Sequence, residues 1–558
     1  MPRSSLLYKK KTGEIYWSFG SDDCFSLIRE IKMRIAIVAP PYPLEEMPSP
    51  PLGVTYVAAA FEAAGAEVKI FDYIVSAYTK EYLEKQLESF RPDAVGATSV
   101  TMNFNKARQI LRDVKKYNPE IITMMGGPHV SFMAMATLRQ YPEIDLIVIG
   151  EGEDTIAELT PVIKRRNKWH DIRSIAYREG DEIVMTGKRD FIADIDRIPL
   201  PARHLLPISR YRALGFPVSL ITSRGCPYSC IFCLGRKMVG SKVRNRNPQL
   251  VLDEMEMIIG DGFERINFAD DLFTSDKERV RDICAGIKER SLKTPWSAFS
   301  RVDTASQEVF DMMAEAGCDS VSFGVETANV EILKRIKKGI KLEQVHAAVK
   351  MCKQAGMIAH ASFIIGLPGE TKSTLLETDQ FARSTDALYG YHYLAPFPGT
   401  TVREKIQDYD LEIITDDWDL YDANDAIVKT SALLPQDMRE FGHSYDDEME
   451  FDWNKIVRRY HEGKADAEDT IRVEGRMRMH LTYQILKEDI IEKCGLIEPS
   501  LFKGSKFTAL QELSHRVKEY ANTDISTRIV DDIIRDFEWR GYLKADISEK
   551  GCMWSWST

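Results

Sequence analysis

Three cysteines, Cys226, Cys230 and Cys233, stand at C-x3-C-x2-C spacing in the stretch Arg224-Gly225-Cys226-Pro227-Tyr228-Ser229-Cys230-Ile231-Phe232-Cys233. They follow an apolar run, Val218 to Ile221, that reads as a buried strand. Three thiolates on one short loop converge on a soft metal centre. Structural zinc sites take four protein ligands, commonly as two pairs, and iron–sulfur cubes usually take four cysteines. The next cysteine here is Cys284, far along the chain. A cube held by three cysteines keeps one iron open for a substrate or cofactor. The alternatives at this point are a structural zinc loop and unrelated buried thiols.

The elements around the loop repeat a strand–helix unit from Phe216 to about Pro398. The strand candidates are 218–222, 265–269, 296–300, 320–324, 358–365 and 390–394. Six such units predict a partial (β/α) barrel with its site at the carboxyl-terminal face, and the cysteines fall on the first such loop. The other strand ends carry Asp270-Asp271, Ser300-Arg301, Glu326, and Ile365-Gly366-Leu367-Pro368-Gly369-Glu370. His360, Tyr391, His392 and Tyr393 lie on the last two strands. Period two puts Tyr391 and Tyr393 on one side and His392 on the other, so Tyr391 and His392 are candidates for contact with a substrate.

From Met33 to about Gly150 the same alternation runs at closer spacing. Strands are expected at 34–39, 67–71, 94–98, 121–125 and 146–149, with helices such as 52–64 and 104–116. Continuous apolar strands between amphipathic helices predict a doubly wound parallel sheet, which binds ligands beyond its carboxyl ends. Those ends carry Pro40-Pro41-Tyr42-Pro43, Ser99-Val100-Thr101, Gly126-Gly127-Pro128-His129 and Gly150-Glu151-Gly152-Glu153. No G-x-G-x-x-G follows the first strand, which argues against a dinucleotide. The expected divisions are a polar leader at 1–32, the first sheet at 33–155, a hairpin and proline-rich linker at 156–215, the barrel at 216–400 and a helical region at 401–558. Met33 is a candidate natural start. The helices at 507–520 and 527–539, followed by Gly541-Tyr542-Leu543, suggest a small winged-helix-like module.

The composition sets outer limits. Of the 558 residues 44% are hydrophobic and 28% charged, as in globular proteins with sizeable cores. A net charge of −11 argues against nonspecific nucleic-acid binding. Nine cysteines are too few for a disulfide scaffold at this length, and a low-potential cluster calls for a reducing compartment, so a cytoplasmic protein is expected. No apolar run approaches the roughly twenty residues of a membrane-spanning helix.

The cysteine spacing, with aromatic Phe232 before the third cysteine, resembles the cluster loop of the radical S-adenosylmethionine superfamily. That resemblance implies a [4Fe-4S] cluster on Cys226, Cys230 and Cys233, its open iron chelating the methionine part of S-adenosylmethionine. It implies further contacts to that cofactor from Phe232, from Asp270 or Asp271 to the amine, from Arg301 to the carboxylate, from Glu326 to the ribose or amine, and from Gly366 to the adenine edge. The first sheet resembles the cobalamin-binding domain of one branch of the superfamily. That branch includes the anaerobic magnesium-protoporphyrin monomethyl ester cyclase type and cobalamin-dependent C-methyltransferases. Cobalamin contacts are then expected from Pro41, Ser99, Thr101, Gly126, Gly127, His129, Gly150, Glu151 and Gly152. The D-x-H-x-x-G motif that ligates cobalt from below is missing, and His129 is the one residue that contests an unligated lower face.

The activity so implied is an oxygen-sensitive radical reaction on an unactivated carbon of a small molecule or natural product, with flavodoxin or ferredoxin as electron donor. Methyl transfer from methylcobalamin is the first expectation, and ring formation or rearrangement the second. The rivals are a non-catalytic corrinoid or iron–sulfur sensor and a radical enzyme without cobalamin.

Overall fold

The structure, a computed structural model, describes residues 32–41, 48–502 and 504–557. The leader up to residue 31, with Tyr42 and Pro43 of the first proline loop, lies outside the described residues.

Seven strands form the first sheet: β1 (Arg34–Ala39), β2 (Glu67–Asp72), β3 (Ala94–Thr98), β4 (Ile122–Gly126), β5 (Leu146–Val148), β6 (Ile175–Glu179) and β7 (Glu182–Met185), in the order β2-β1-β3-β4-β5-β6-β7. The first five are parallel and the last two antiparallel. The hairpin read from sequence as part of the connection therefore extends the sheet, β6 pairing with β5. The central strands read as apolar runs because both faces are covered. One face packs helices Leu52–Ala63 and Glu153–Leu159, and the other packs Lys80–Phe90, Phe104–Tyr117 and Pro128–Gln140. Strand order reverses between β1 and β3, the switch point where such sheets open a crevice.

The second sheet is parallel and runs in chain order: β8 (Val218–Leu220), β9 (Ile266–Phe268), β10 (Trp296–Ser300), β11 (Cys318–Glu326), β12 (Ile358–Ile365) and β13 (Leu388–Tyr393). Among the described residues β8 and β13 do not pair with each other, so the six strands make an open partial barrel. The long helix Pro435–His461 lies along β13, where Phe441 and Tyr445 each pack against Tyr391 with ring centroids 5.1 Å apart. Helices Lys506–Ala521 and Thr527–Trp539 pack with a three-stranded sheet of Leu496–Ile497, Gly551–Trp556 and Leu543–Ser548, the winged-helix-like order expected from sequence. No described helix is long and apolar enough to cross a membrane.

A buried carboxylate ties the first sheet to the segment leading into the barrel. Asp72, at the end of β2, accepts the Tyr211 hydroxyl at 2.6 Å and the Ile74 N–H at 2.9 Å. Burial nevertheless pushes its pKa from 3.8 to about 6. The folded chain thus holds this proton more tightly than the unfolded chain. The contribution favours folding at low pH and is lost as pH rises from about 4 to about 6, a change of about 3 kcal/mol. Denaturant titrations at pH 4 and pH 7 check this: the stability difference of Asp72→Asn relative to the parent should shift in the variant's favour at pH 7 by about that amount.

Candidate functional site

The cysteine loop leaves β8 and is held on several sides. The Cys226 N–H donates to the Gly240 carbonyl at 3.1 Å, the Ile231 N–H to the Ile336 carbonyl at 3.1 Å, and the Gly235 N–H to Cys233 Sγ at 3.4 Å. Gly225 has φ of 113°, and any side chain there would strike the Lys242 carbonyl. The three thiols lie near enough to raise one another's pKa, though burial is the larger cause, and it pushes Cys233 to about 11. Around Cys230, Lys338 and Arg301 oppose the effect of burial by favouring the thiolate. Among the described residues no three His, Cys, Asp or Glu side chains are gathered to hold a single metal ion. A cube places each thiolate on a different iron, so its sulfurs spread around the corners instead of meeting at one point.

The strand-end residues fall into two groups. Arg301, 7% exposed, lies over the Tyr228 ring of the cysteine loop at 3.5 Å, pairs with Asp303 at 2.9 Å and donates to the Lys338 carbonyl at 2.7 Å. Glu326 ends β11 at a register shift and adopts φ of 73°, an unfavourable conformation for a side chain other than glycine. Its carboxylate takes the Lys338 ammonium at 2.6 Å, with both side chains buried. Lys338 joins two strand ends, through its carbonyl and its ammonium, beside the cysteine loop. The Lys338→Met variant leaves Glu326 buried without its counter-ion and should lose about 3 kcal/mol. Adding Glu326→Gln should recover much of that loss in denaturant melts, since the unpaired charge is then removed.

The adjacent carboxylates diverge. Asp270, 2% exposed, accepts the Thr222 N–H at 2.6 Å, the Thr222 hydroxyl at 2.5 Å and the Ser223 hydroxyl at 2.6 Å, with Arg279 at 3.5 Å. Its oxygens bind strands together. Asp271 instead faces a cavity, and burial and Asp270 raise its pKa. Phe232 packs partly into the barrel core. Gly366 is covered by Met438 and Val428, whose atoms a Cβ there would meet at 3.1 and 3.2 Å. Tyr391 donates to Asp379 at 3.1 Å within the aromatic packing under the long helix, and His392 is exposed on the other side of the strand.

The cavity has a volume of about 540 Å³ and joins both sheets. One wall is built from strand ends of the first sheet: Gly96, Gly126, Gly127, Gly150, Glu151 and Gly152. The opposite wall belongs to the barrel: Arg224, Leu234, Gly235, Met238 and Asp271. Gly127 has φ of 103° and approaches so closely that a Cβ would lie 2.5 Å from the Ser99 carbonyl oxygen. Pro41 is half-buried, and Ser99 and Thr101 are buried, outside the cavity walls. His129 also lies outside them, 2% exposed, stacked on Phe104 at 4.3 Å and edge-on to Trp418 at 4.8 Å. Burial lowers its pKa to about 4, so the ring is neutral at pH 7.

The sequence is matched by two family models, the B12 binding domain over residues 46–160 and the radical SAM superfamily over residues 220–382. It is 36% identical over 405 residues to an uncharacterized methyltransferase of Pyrococcus horikoshii, covering 71% of this chain and 88% of that protein. The chain belongs to the cobalamin-binding radical S-adenosylmethionine enzymes. Another relative in this group, the anaerobic magnesium-protoporphyrin IX monomethyl ester cyclase of Rubrivivax gelatinosus, is 29% identical over 398 residues, covering 69% of this chain and 70% of that one. The fold is shared with the cobalamin-dependent S-adenosylmethionine radical enzyme OxsB, at a TM-score of 0.66 and 18% identity, over 91% of this chain and 84% of that one. The cofactors of the cobalamin-binding radical S-adenosylmethionine enzymes are thus cobalamin, a [4Fe-4S] cluster and S-adenosylmethionine. Among the described residues these fit the cofactors: three thiols without a fourth nearby, a glycine-lined cavity, and a buried Glu153 oxygen in its wall with no protein partner.

Sequence reasoning passed over Arg244, Lys338 and Tyr56. No local pattern in the sequence singles out Arg244 or Lys338. Both gain their roles from partners distant in sequence: Glu151 for Arg244, and Arg301 for the Lys338 carbonyl.

Proposed function

We infer that this protein methylates an unactivated carbon of a small molecule. The observation that carries the reading is the shared cavity, with the glycine-lined strand ends of the first sheet on one side and Gly235 and Asp271 of the cluster region on the other. When bound, the cluster would supply an electron, S-adenosylmethionine a methyl group and a hydrogen-abstracting radical, and the corrinoid would carry the methyl group from S-adenosylmethionine to the substrate.

The chain's part is to hold and shield. Cys226, Cys230 and Cys233 hold the cluster and leave one corner free. Arg301 and the Glu326–Lys338 pair stand beside the cysteine loop, where their charges would suit the carboxylate and the amine or ribose of the cofactor. Asp271, not Asp270, is the carboxylate with a free face. Gly126, Gly127, Gly150 and Gly152 let a flat macrocycle approach backbone. His129 stays in its aromatic sandwich, outside the cavity walls, and so would not be among the residues that hold a corrinoid there. The apolar cavity lining from Leu234, Met238 and Val239 keeps water from the reacting atoms.

The test is anaerobic reconstitution with iron, sulfide and cobalamin, followed by S-adenosylmethionine labelled in its methyl group and a low-potential flavodoxin or ferredoxin. Label recovered in extracted corrinoid together with released 5′-deoxyadenosine supports the reading. Corrinoid uptake without either product returns it to a binding protein. The relation to the cyclase keeps ring formation as the second reading, which predicts 5′-deoxyadenosine with no labelled corrinoid.

A further inference from the structure

Arg224 and Arg244 stand directly opposite each other on a two-stranded ladder that carries the cysteine loop. Both reach across to the loop after β5. Arg224 pairs with Glu151 at 3.2 Å and with Glu153 at 2.7 Å. Arg244 grips Glu151 with two bonds, at 2.9 and 2.8 Å, and donates to the Ile192 carbonyl at 2.6 Å. The Ile192 N–H returns to Glu151 at 2.9 Å. All four side chains are nearly shielded from solvent, the most exposed at 11%. Two cations against two carboxylates leave no net charge. The guanidinium of Arg224 also lies 5.2 Å from the Tyr56 ring, itself part of the cavity wall.

This clamp spans the two cofactor seats. Its barrel end, Arg224, is two residues from Cys226. Its other end is the Gly150–Glu153 turn that walls the corrinoid cavity. Gly150 has φ of 75° and gains no packing against it, as nothing lies within 4 Å of a Cβ there. The turn is held at Gly150, whose N–H donates to the Ser131 hydroxyl at 3.0 Å, and at Glu151 and Glu153 by the arginines. Glu153 Oε2 is buried in the cavity wall without a protein partner. An unpaired buried carboxylate oxygen is unfavourable until a donor arrives, and the peripheral amides of a corrinoid are such donors.

We propose that the Glu151–Arg224–Glu153 clamp couples corrinoid binding to cluster assembly, so that each cofactor raises the affinity for the other. The inference rests on the functional reading above. Ligation of Cys226 would add a tether to a loop already held by backbone bonds and so narrow the freedom of Arg224, two residues before it. Arg224 then holds the Gly150–Glu153 turn in its binding geometry and aims Glu153 Oε2 at a corrinoid amide. A corrinoid meeting that ordered turn binds with less ordering to impose. By linkage the reverse holds with the same factor. Arg224 also walls the cavity, but its part in this scheme is to position the turn, which the coupling ratio reads and an affinity alone does not.

The test measures the cobalamin dissociation constant by anaerobic equilibrium dialysis, on protein with and without its cluster, for the parent, Arg224→Gln and Glu153→Gln. The parent should bind cobalamin about tenfold more tightly with its cluster than without, within the usual range of coupling between sites. In Arg224→Gln that ratio should fall to about one, whatever the change in affinity for cobalamin alone. Glu153→Gln keeps the side-chain shape, guards against a misfolded arginine variant, and should reduce the ratio at least about threefold. A merely structural clamp would lower melting temperature and leave the ratio intact. A parent ratio near one, or variants that keep the parent ratio, overturns the coupling while leaving the functional reading in place. Protein that takes up neither cofactor overturns both.

Discussion

Cys230→Ala protein, reconstituted without oxygen, is expected to be colourless, to hold iron and sulfide at background level, and to release no more 5′-deoxyadenosine than a protein-free control. Loss of a group that only supports a ligand typically weakens a metal site roughly 10- to 100-fold, and loss of a ligand itself should exceed about 100-fold. The loop carries three thiols and among the described residues no other cysteine is near it, since Cys284, Cys318, Cys352, Cys494 and Cys552 are buried elsewhere. No described cysteine therefore replaces Cys230. The change should not unfold the chain, because Cys230 is only half-buried and the loop is held by backbone bonds at Cys226, Ile231 and Gly235. Cys284→Ala is the contrast: a 1% exposed thiol in the barrel core, whose loss should lower stability by about 1 kcal/mol and leave the cluster intact. Cobalamin uptake in Cys230→Ala should persist at the affinity of cluster-free parent protein. A Cys230→Ala protein that keeps its iron–sulfur chromophore would sink the assignment of the cluster to this loop.

The contrast between legible and illegible parts has a physical pattern. The strands of both sheets stand close to where the sequence puts them: 34–39 is buried along nearly its whole length, as a strand covered on both faces should be, while 296–300 and 358–365 alternate between buried and more open residues. The cysteine loop is legible because its chemistry is local. What sequence could not fix is which way a side chain turns and what arrives from afar. Asp270 and Asp271 are adjacent carboxylates at one strand end, so alternation says that they diverge and not which one faces the cavity. Thr222, Ser223 and Arg279 decide it by taking Asp270. Gly366 carries a motif for open backbone, yet Met438, from a helix far along the chain, lies on it. The Gly150–Glu153 turn and Arg224 were each noticed separately. Their pairing spans 71 positions and leaves no local mark.

The same cavity gives the second large effect, at Gly126. Replacing Gly126 with leucine should weaken cobalamin binding at least about 100-fold, equivalent to about 2.7 kcal/mol, while the cluster assembles as in the parent. Gly126 closes β4 and walls the cavity. Only the Val148 carbonyl oxygen, at 3.9 Å, lies within 4 Å of a Cβ built there, and its backbone is not in the left-handed region. The Cβ of a leucine therefore meets no clash at a residue that lines the cavity, so the fold should change in stability by no more than about 1 kcal/mol. Gly127 is the wrong place for this experiment. Its φ of 103° and the Ser99 oxygen 2.5 Å from a Cβ would strain the turn itself, and lost binding could then follow from a damaged sheet. Equilibrium dialysis with cobalamin, set beside iron content and a thermal melt of the same sample, separates these causes. Unchanged cobalamin affinity in a folded, cluster-containing Gly126→Leu protein would mean that the corrinoid sits elsewhere. The shared cavity would then no longer support a methyl carrier placed against the cluster.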